Sequence, residues 1–223
     1  MEERIKGIIK GLGADLCGIA NVERFSEAPL GFHPTDLYKD CKSVVVFAKA
    51  MPKGLAYVNP RNLYLKANDL NLSELDRISF LASLEIEKLG AIAVPLPSDS
   101  TYEYCDSENL EGRGLLSMRH AALLAGIGSM GKNTLIINKK FGNLINIGAV
   151  LTNLDLQSDP FSEEVCIENC RICLEKCPQN ALNGLTVKQK SCREFAYGKN
   201  QRGFDICNCN NCRIACPRSL GER

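Results

Sequence analysis

The sequence predicts an α+β chain, an α/β sandwich with a mixed sheet over residues 1–155 followed by a small cysteine-rich unit over residues 156–223. Three observations predict it. Apolar stretches with helical and strand periods alternate through the first part. Nine of the twelve cysteines fall at or after Cys166. At 223 residues the chain is long enough to bury a core of its own ahead of those cysteines.

The elements of the first part follow in order. Ile5, Ile8, Ile9 and Leu12 make a helical stripe that Gly11 and Gly13 weaken and end, before the short apolar stretch Cys17-Gly18-Ile19-Ala20. Ser43 to Ala48 is a β-branched run and reads as a buried strand. The clearest helix is expected to start at Ser73, where Asp76 three residues on gives a capping-box pattern. Its Leu75, Ile78, Ala82, Ile86 and Leu89 recur at three- and four-residue steps until Gly90 stops it. Ala91 to Val94 reads as a strand ended by Pro95 and Pro97. Residues 98–113 are polar and read as a long loop of the kind that lines a site. A helix from Leu115 to Ala125 follows. Two strands, Leu135 to Asn138 and Leu144 to Thr152, then flank a Lys139-Lys140-Phe141-Gly142-Asn143 turn.

The cysteines run Cys166-x3-Cys170-x2-Cys173-x3-Cys177-Pro178, then Cys192, then Cys207-x-Cys209-x2-Cys212-x3-Cys216-Pro217. This is the spacing of a chain that holds two cubane [4Fe–4S] clusters. Three thiolates on one tight loop reach three corners of a cube, and the fourth Cys, before Pro, is thrown toward the other cluster, as in two-cluster ferredoxins. Zinc competes for C-x2-C pairs but usually takes two such pairs a dozen or more residues apart, and the twice-repeated Cys-Pro ending favours clusters. By the same rule Cys166, Cys170, Cys173 and Cys216 form one set, and Cys177, Cys209 and Cys212 another with either Cys192 or Cys207. Cys192 is favoured, because Cys207 stands only two residues before Cys209. Cys17, Cys41 and Cys105 read as small buried apolar residues.

The opening Met1-Glu2-Glu3-Arg4 has no apolar leader pattern, which argues against disulfides and for a reducing cytoplasm. A net charge of +1 with scattered basic residues gives no nucleic-acid footprint, so nucleic acid is not an expected partner. No apolar run approaches the length of a membrane span. The expected partners are a small molecule and a redox protein that donates electrons. His33, before Pro34, reads as a solvated loop residue, and His120 as a helix residue bonded to a neighbour.

Gly126-Ile127-Gly128-Ser129-Met130-Gly131-Lys132-Asn133-Thr134 imitates two phosphate-binding motifs and satisfies neither. As G-x-G-x-x-G it lacks the strand that must precede the glycines, and as G-x4-G-K-[ST] it fails at Asn133, which has no hydroxyl. The glycines are read as letting the backbone approach a flat or anionic ligand, with Lys132 and Asn133 as polar contacts.

This turn, with His120 to Gly128 before it, Leu135 to Asn138, Phe141-Gly142-Asn143 and Gly148 to Asn153 after it, and then the two cysteine runs, resembles the epoxyqueuosine reductases and the related reductive dehalogenases, which are cobalamin enzymes. The resemblance runs over residues 112–223 and is weak before them. It implies a nitroreductase-like domain holding a base-off corrinoid against its sheet, with a bacterial ferredoxin-like unit whose nearer cluster reduces the cobalt. The corrinoid contacts carried over are Gly131, Lys132 and Asn133, with backbone or apolar contacts at Ile136 and Ile147. The cluster ligands carried over are Cys166, Cys170, Cys173, Cys216, Cys177, Cys192, Cys209 and Cys212.

The chain also departs from that pattern. The first ligand spacing is x3 where the family has x2, and the proton-donating aspartate falls on Gly112. Glu111, Tyr104 and Tyr102 are then the candidate acids. The chain ends at Arg223, where the family continues into a helical-repeat region that grips transfer RNA, so a queuosine role is not expected. The resulting expectation is an iron–sulfur oxidoreductase that binds cobalamin and reduces it through two clusters, acting on a small-molecule or corrinoid substrate. The alternatives are a dicluster electron-transfer protein, a corrinoid reactivator, or a reductase holding flavin mononucleotide (FMN) in the same pocket.

Overall fold

Strand β2 (Ser43–Ala50) organises the first part, because residues 43–48 are buried on both faces and each face needs its own cover. In the computed structural model, which describes residues 1–58, 62–99, 102–108 and 110–222 except for the side chains at 102 and 103, β2 lies inside a four-stranded sheet. Its neighbours are β1 (Leu16–Asn21) and β8 (Ile145–Thr152), and β3 (Ala93–Leu96) pairs with β8 at the edge, giving the order β1-β2-β8-β3.

Every pairing in this sheet is antiparallel, with Val46 opposite both Gly18 and Ala149, so the expected mixed sheet is corrected. A strand covered on both faces reads as a continuous apolar run, a pattern usual in parallel sheets that carries no information on direction. Pro95 lies inside β3 rather than ending it, as an edge strand tolerates.

Helices cover both faces. On one, Ile5 and Ile9 of α1 (Glu2–Gly11) and Leu75, Ile78, Ala82 and Ile86 of the long helix that follows β2 pack on Ile19, Val45, Phe47 and Val150. On the other, Ala121 and Ala122 pack on Val44, Val46, Ala149 and Leu151. Alternate residues of β2 thus serve opposite cores, as the two-residue period of a strand dictates.

His33 is half-buried and has a local role. It caps the single-turn helix α2 (Pro34–Leu37), its Nδ1 accepting from Thr35 N at 3.2 Å while Asp36 accepts from His33 N at 3.0 Å. The long helix α3 spans Asn62–Glu87, so Ser73 sits mid-helix. Its hydroxyl donates back to Asp69 O at 2.9 Å, and Asp76 accepts from Ser98 N and Oγ at 2.8 and 2.7 Å, anchoring the exit from β3 instead of capping. Residues 98–113 are not one loop either. β4 (Tyr102–Asp106) and β5 (Glu111–Gly114) form a hairpin. After α4 (Met118–Leu124), the short strands β6 (Ser129–Met130) and β7 (Ile136–Ile137) pair with each other, so the glycine turn is the bend of a small ribbon.

The cysteine-rich segment contains α5 (Ile172–Glu175), α6 (Gln189–Ala196), the antiparallel pair β9 (Tyr197–Lys199) and β10 (Asp205–Cys207), and α7 (Asn211–Ile214). It is tied to the sheet by the stretch that leaves β8. Leu156 is buried against the α1 and α3 side, and the Asp159 carboxylate accepts from Ile19 N at 2.9 Å and Lys6 Nζ at 2.5 Å. Arg24 donates to Leu124 O and Asp159 O at 2.5 and 2.7 Å while lying 4.2 Å from the Phe161 ring. Among the described residues no helix is long and apolar enough to cross a membrane.

Asp159→Ala removes the acceptor of a half-buried backbone N–H and of a largely covered ammonium, and should cost about 2 kcal/mol in urea unfolding at neutral pH. Burial alone would lower the Lys6 pKa, but the Asp159 hydrogen bond and charge raise it above its ordinary value. The pair's contribution is therefore complete below the unfolded lysine value of about 10.4 and is lost as pH rises through the raised folded value. The gap between wild type and Asp159→Ala should narrow in that alkaline range and stay constant from neutral pH up to it.

Candidate functional site

The cysteines sort into two groups of four. Cys166 and Cys170, on the loop that leads into α5, and Cys173 within α5 line one cavity together with Cys216 from the far end of the segment. Burial pushes the Cys216 thiol pKa up, and the neighbouring charges of Cys173, Cys166 and Cys170 push it further. Cys173 is raised by burial and then by Cys166 and Cys170. The second group is Cys177, Cys192, Cys209 and Cys212. Burial lifts Cys212 to about 11, with Arg213 opposing and Cys192, Cys209 and Cys177 adding. Cys192 is raised by burial and by Cys177 and Cys209, against Arg193 and Arg119. Each group draws its sulfurs from both cysteine runs. Among the described residues no three His, Cys, Asp or Glu side chains close around a single ion.

Local bonds explain why the ligand loops hold their shape. Ser129 on β6 donates to Glu164 Oε1 at 3.0 Å and accepts from Val165 N at 2.9 Å, and the same Glu164 oxygen takes Cys166 N at 3.0 Å. Cys177 Sγ accepts from Ala181 N at 3.3 Å, the kind of N–H to sulfur bond that stabilises a thiolate.

Cys207 stands apart from both groups. It is buried in an apolar cluster with Met51, Tyr64 and Leu144, and its thiol donates to Cys209 O at 3.4 Å. Cys41 is buried, and Cys17 is half-buried with a pKa pushed up to about 12, chiefly by burial. Cys105 differs from expectation. It is exposed, because it lies on the β4–β5 hairpin rather than in the sheet core.

The glycine turn approaches the protein itself. Gly126 has φ +70°, and a Cβ there would stand 2.2 Å from Pro160 O. At Gly131 a Cβ would stand 2.6 Å from Asn133 Oδ1 and 2.7 Å from Ile137 Cδ1. The reading of these glycines as a ligand's approach path is therefore corrected for these two positions, since the space a side chain would need is already filled. Lys132 Nζ donates to Ile167 O at 3.2 Å, to Cys170 O at 3.1 Å and to Glu168 O. Asn133, only 3% exposed, donates from Nδ2 to Cys212 O at 2.9 Å and accepts Leu135 N at 3.2 Å. Ile136 and Ile147 pack in the core beneath α4.

The candidate acids lie on the hairpin. Glu111 and Tyr104 are exposed, Tyr104 with the Arg113 guanidinium 5.6 Å from its ring, and the side chain of Tyr102 is outside the described residues. Gly112, where the resemblance expects an aspartate, exchanges two hydrogen bonds with Gln189 of α6, 3.1 Å from its N to Oε1 and 3.3 Å from Nε2 to its O. Arg193 adds a bond to Leu110 O at 2.9 Å. The hairpin is thus docked on the helix that carries Cys192.

Sequence reasoning missed Gln189 and three arginines near the second thiol group. Arg119 donates to Thr134 O and Oγ1 at 2.8 and 2.9 Å, and Arg213 donates to Asn143 O. Arg119 retains solvent-facing surface, yet desolvation, and then the nearby Arg213 charge, lower its pKa. Its exposure means that its charge is partly screened. A lone arginine carries no motif, so only the three-dimensional grouping reveals it. His120 is as expected, its Nδ1 2.7 Å from Ser117 Oγ.

No family model matches the chain. Curated relatives do. The epoxyqueuosine reductase of Bacillus anthracis is 27% identical over 252 aligned residues that cover 95% of this chain and 63% of the relative. That of Listeria monocytogenes is 25% identical over 209 residues, covering 85% and 52%. The chain therefore spans between about half and two thirds of the length of these relatives. Among solved structures, an epoxyqueuosine reductase from Streptococcus thermophilus superposes with a TM-score of 0.68 at 20% identity, over 98% of this chain and 66% of that one. A catabolic reductive dehalogenase in complex with 3-bromo-4-hydroxybenzoic acid gives 0.72 at 17% identity, over 99% and 32%. Further neighbours are an epoxyqueuosine reductase with an epoxyqueuosine-modified tRNA stem loop and a dehalogenase described as B12-dependent. At these identities the structures speak to the fold. As the glycine turn and the cysteine runs lead one to expect, the chain is related in sequence to the epoxyqueuosine reductases and shares its α+β fold with them and with the reductive dehalogenases.

Proposed function

We propose that the chain is an iron–sulfur oxidoreductase whose two [4Fe–4S] clusters carry electrons one at a time. Cys166, Cys170, Cys173 and Cys216 hold the first cluster, and Cys177, Cys192, Cys209 and Cys212 the second. The observation that carries this reading is the sorting of eight thiols into two groups of four, the first joining Cys166, Cys170 and Cys173 to the distant Cys216, the second joining Cys209 and Cys212 to Cys192 and the distant Cys177. A cube needs that exchange and a tetrahedral zinc ion does not. The donor set fits the group, and the Ala181 N–H at Cys177 Sγ and the arginines beside Cys192 and Cys212 supply the hydrogen bond and positive charge that an anionic cluster takes up.

In this reading residues 1–155 are a nitroreductase-like domain and residues 156–223 a ferredoxin-like one, working in a reducing compartment such as the cytoplasm with a redox protein as donor. Cobalamin is the acceptor that the B12-dependent neighbour suggests. When bound it supplies a metal centre that takes up the clusters' electrons. The five positions carried over for it, Gly131, Lys132, Asn133, Ile136 and Ile147, do not fit a direct side-chain contact, since the polar ones are committed to the cysteine loops and the apolar ones to the core. No step is therefore routed through it. Transfer RNA as substrate rests on the tRNA-bound neighbour alone, and the +1 balance of the chain adds nothing to it. A second reading, an electron carrier or corrinoid reactivator without substrate chemistry, is favoured by Gly112. The backbone there is occupied with Gln189 where an acid would be needed.

Anaerobic reconstitution with iron and sulfide should load about eight iron atoms per chain, and zinc in their place overturns the proposal. Cys192→Ser should lose about half of that iron and Cys207→Ser none, by colorimetric iron assay. In separate titrations of the reconstituted chain, a change in the absorption spectrum of cobalamin with FMN fluorescence unaltered supports a corrinoid held by groups other than the five carried-over positions. If neither ligand responds, the electron-carrier reading replaces that of a cobalamin reductase.

A further inference from the structure

The Gly131-Lys132-Asn133 turn touches both cysteine loops at once. Lys132 lines the cavity of the first thiol group, and its three ammonium donors go to the main-chain carbonyls of Ile167, Glu168 and Cys170, all within the loop that presents Cys166 and Cys170. Asn133 binds Cys212 O, within the second group, while its Oδ1 fixes its own turn through Leu135 N. Among the described residues no carboxylate lies within ion-pair reach of Lys132. A cation held only by neutral carbonyls beside four thiols keeps its field for whatever those thiols bind.

We propose that Lys132 is a positioning residue and the fixed counter-charge of the first cluster, while Asn133 positions the loop of the second. The proposal rests on the dicluster reading above. Each cluster takes one electron, passing from [4Fe–4S]2+ to [4Fe–4S]+, so reduction adds one negative charge inside the thiolate cage. A fixed ammonium stabilises the more negative state and raises the midpoint potential, since net charge and hydrogen bonding around the sulfurs are what set it. The ammonium also holds the three-residue stretch between Cys166 and Cys170, so removing it acts on loop and field together. A cationic replacement separates the two effects.

The test is a dithionite titration of the reconstituted full chain followed by electron paramagnetic resonance, dithionite supplying the electrons and being oxidised to sulfite. The two signals are assigned with Cys170→Ser and Cys209→Ser. Lys132→Met and Lys132→Gln should shift the first signal to a more negative potential and leave the second in place, with Lys132→Arg staying near wild type. Asn133→Ala should disturb the second signal and spare the first. Loss of the first cluster's iron in the Met and Gln chains, but not in the Arg chain, supports the same clamp. Wild-type protein with about eight irons whose Lys132→Met form titrates at unchanged potentials overturns this inference alone. Wild-type protein that takes up no clusters overturns the dicluster reading and this inference with it.

Discussion

Each thiol group is completed by a cysteine from outside its own tight loop, and that exchange constrains everything around it. Cys216 can join Cys166, Cys170 and Cys173 only if the chain returns past α6 and the β9–β10 pair. Four free thiols do not hold such a return by themselves. Burial raises the pKa of Cys212 and Cys216, and their like-charged neighbours oppose ionisation further, so the apo cage favours protonated sulfur. The loops must therefore be held by bonds that do not involve sulfur. The β6–β7 ribbon and its turn supply most of them, Ser129 through Glu164 at the entry to the first loop, Lys132 on its carbonyls and Asn133 on Cys212 O, while Gln189 and Arg193 of α6 clasp the hairpin.

The legible parts of this arrangement are those that chemistry writes locally. The cysteine spacings divide eight thiols into two sets with Cys192 preferred to Cys207, because reach along a short loop is a property of sequence, and the proposed cluster ligands rest on that division. The structure places Cys207 in an apolar cluster for a reason the spacing does not contain, its neighbours Met51 and Tyr64. Helix α1 and strands β2 and β8 were legible from their apolar patterns, while β1 was legible only as a short apolar stretch. Direction in the sheet was not, because β2 is apolar on both faces. Ser73 and Asp76 misled because the same two side chains that cap a helix also serve at mid-helix when a partner such as Ser98 arrives from elsewhere. The hairpin at 102–114 was hidden for a related reason. Its residues are polar because they face solvent, and the bonds that dock it belong to Gln189 and Arg193, far along the chain.

The glycine turn meets a partner that its physics does not name. Closely spaced glycines announce that something will come nearer to the backbone than a Cβ allows. In nucleotide-binding loops the visitor is a phosphate. Here Gly126 meets Pro160 O, and the polar pair that follows reaches for carbonyls in the cysteine loops. The missing preceding strand and the missing hydroxyl at Asn133 excluded phosphate, but no feature of the turn itself names a protein segment as the substitute. Segments that come close in space leave no local signature. Only the identity of the donors hints at it, since an ammonium and a carboxamide suit neutral carbonyls as well as they suit an anion.

The two thiol groups are not electrostatically alike. The first has Lys132 and Arg218 along its cavity, and the second has Arg119, Arg193 and Arg213 as charge neighbours. Cation content around an anionic centre governs how easily it takes a further electron, and a centre ringed by more guanidinium charge is the easier one to reduce if solvent access is equal. Access is not equal, because Arg119 is exposed to water that screens it, while Lys132 is half-buried and held among carbonyls at a cavity wall. A half-buried ammonium therefore outweighs an exposed guanidinium such as Arg119, while Arg193 and Arg213, half-buried like Lys132, keep as much of their field. For two clusters held as proposed above, the order of reduction follows screening as well as the count of charges, so the half-buried Lys132, Arg193 and Arg213 weigh more than the exposed Arg119.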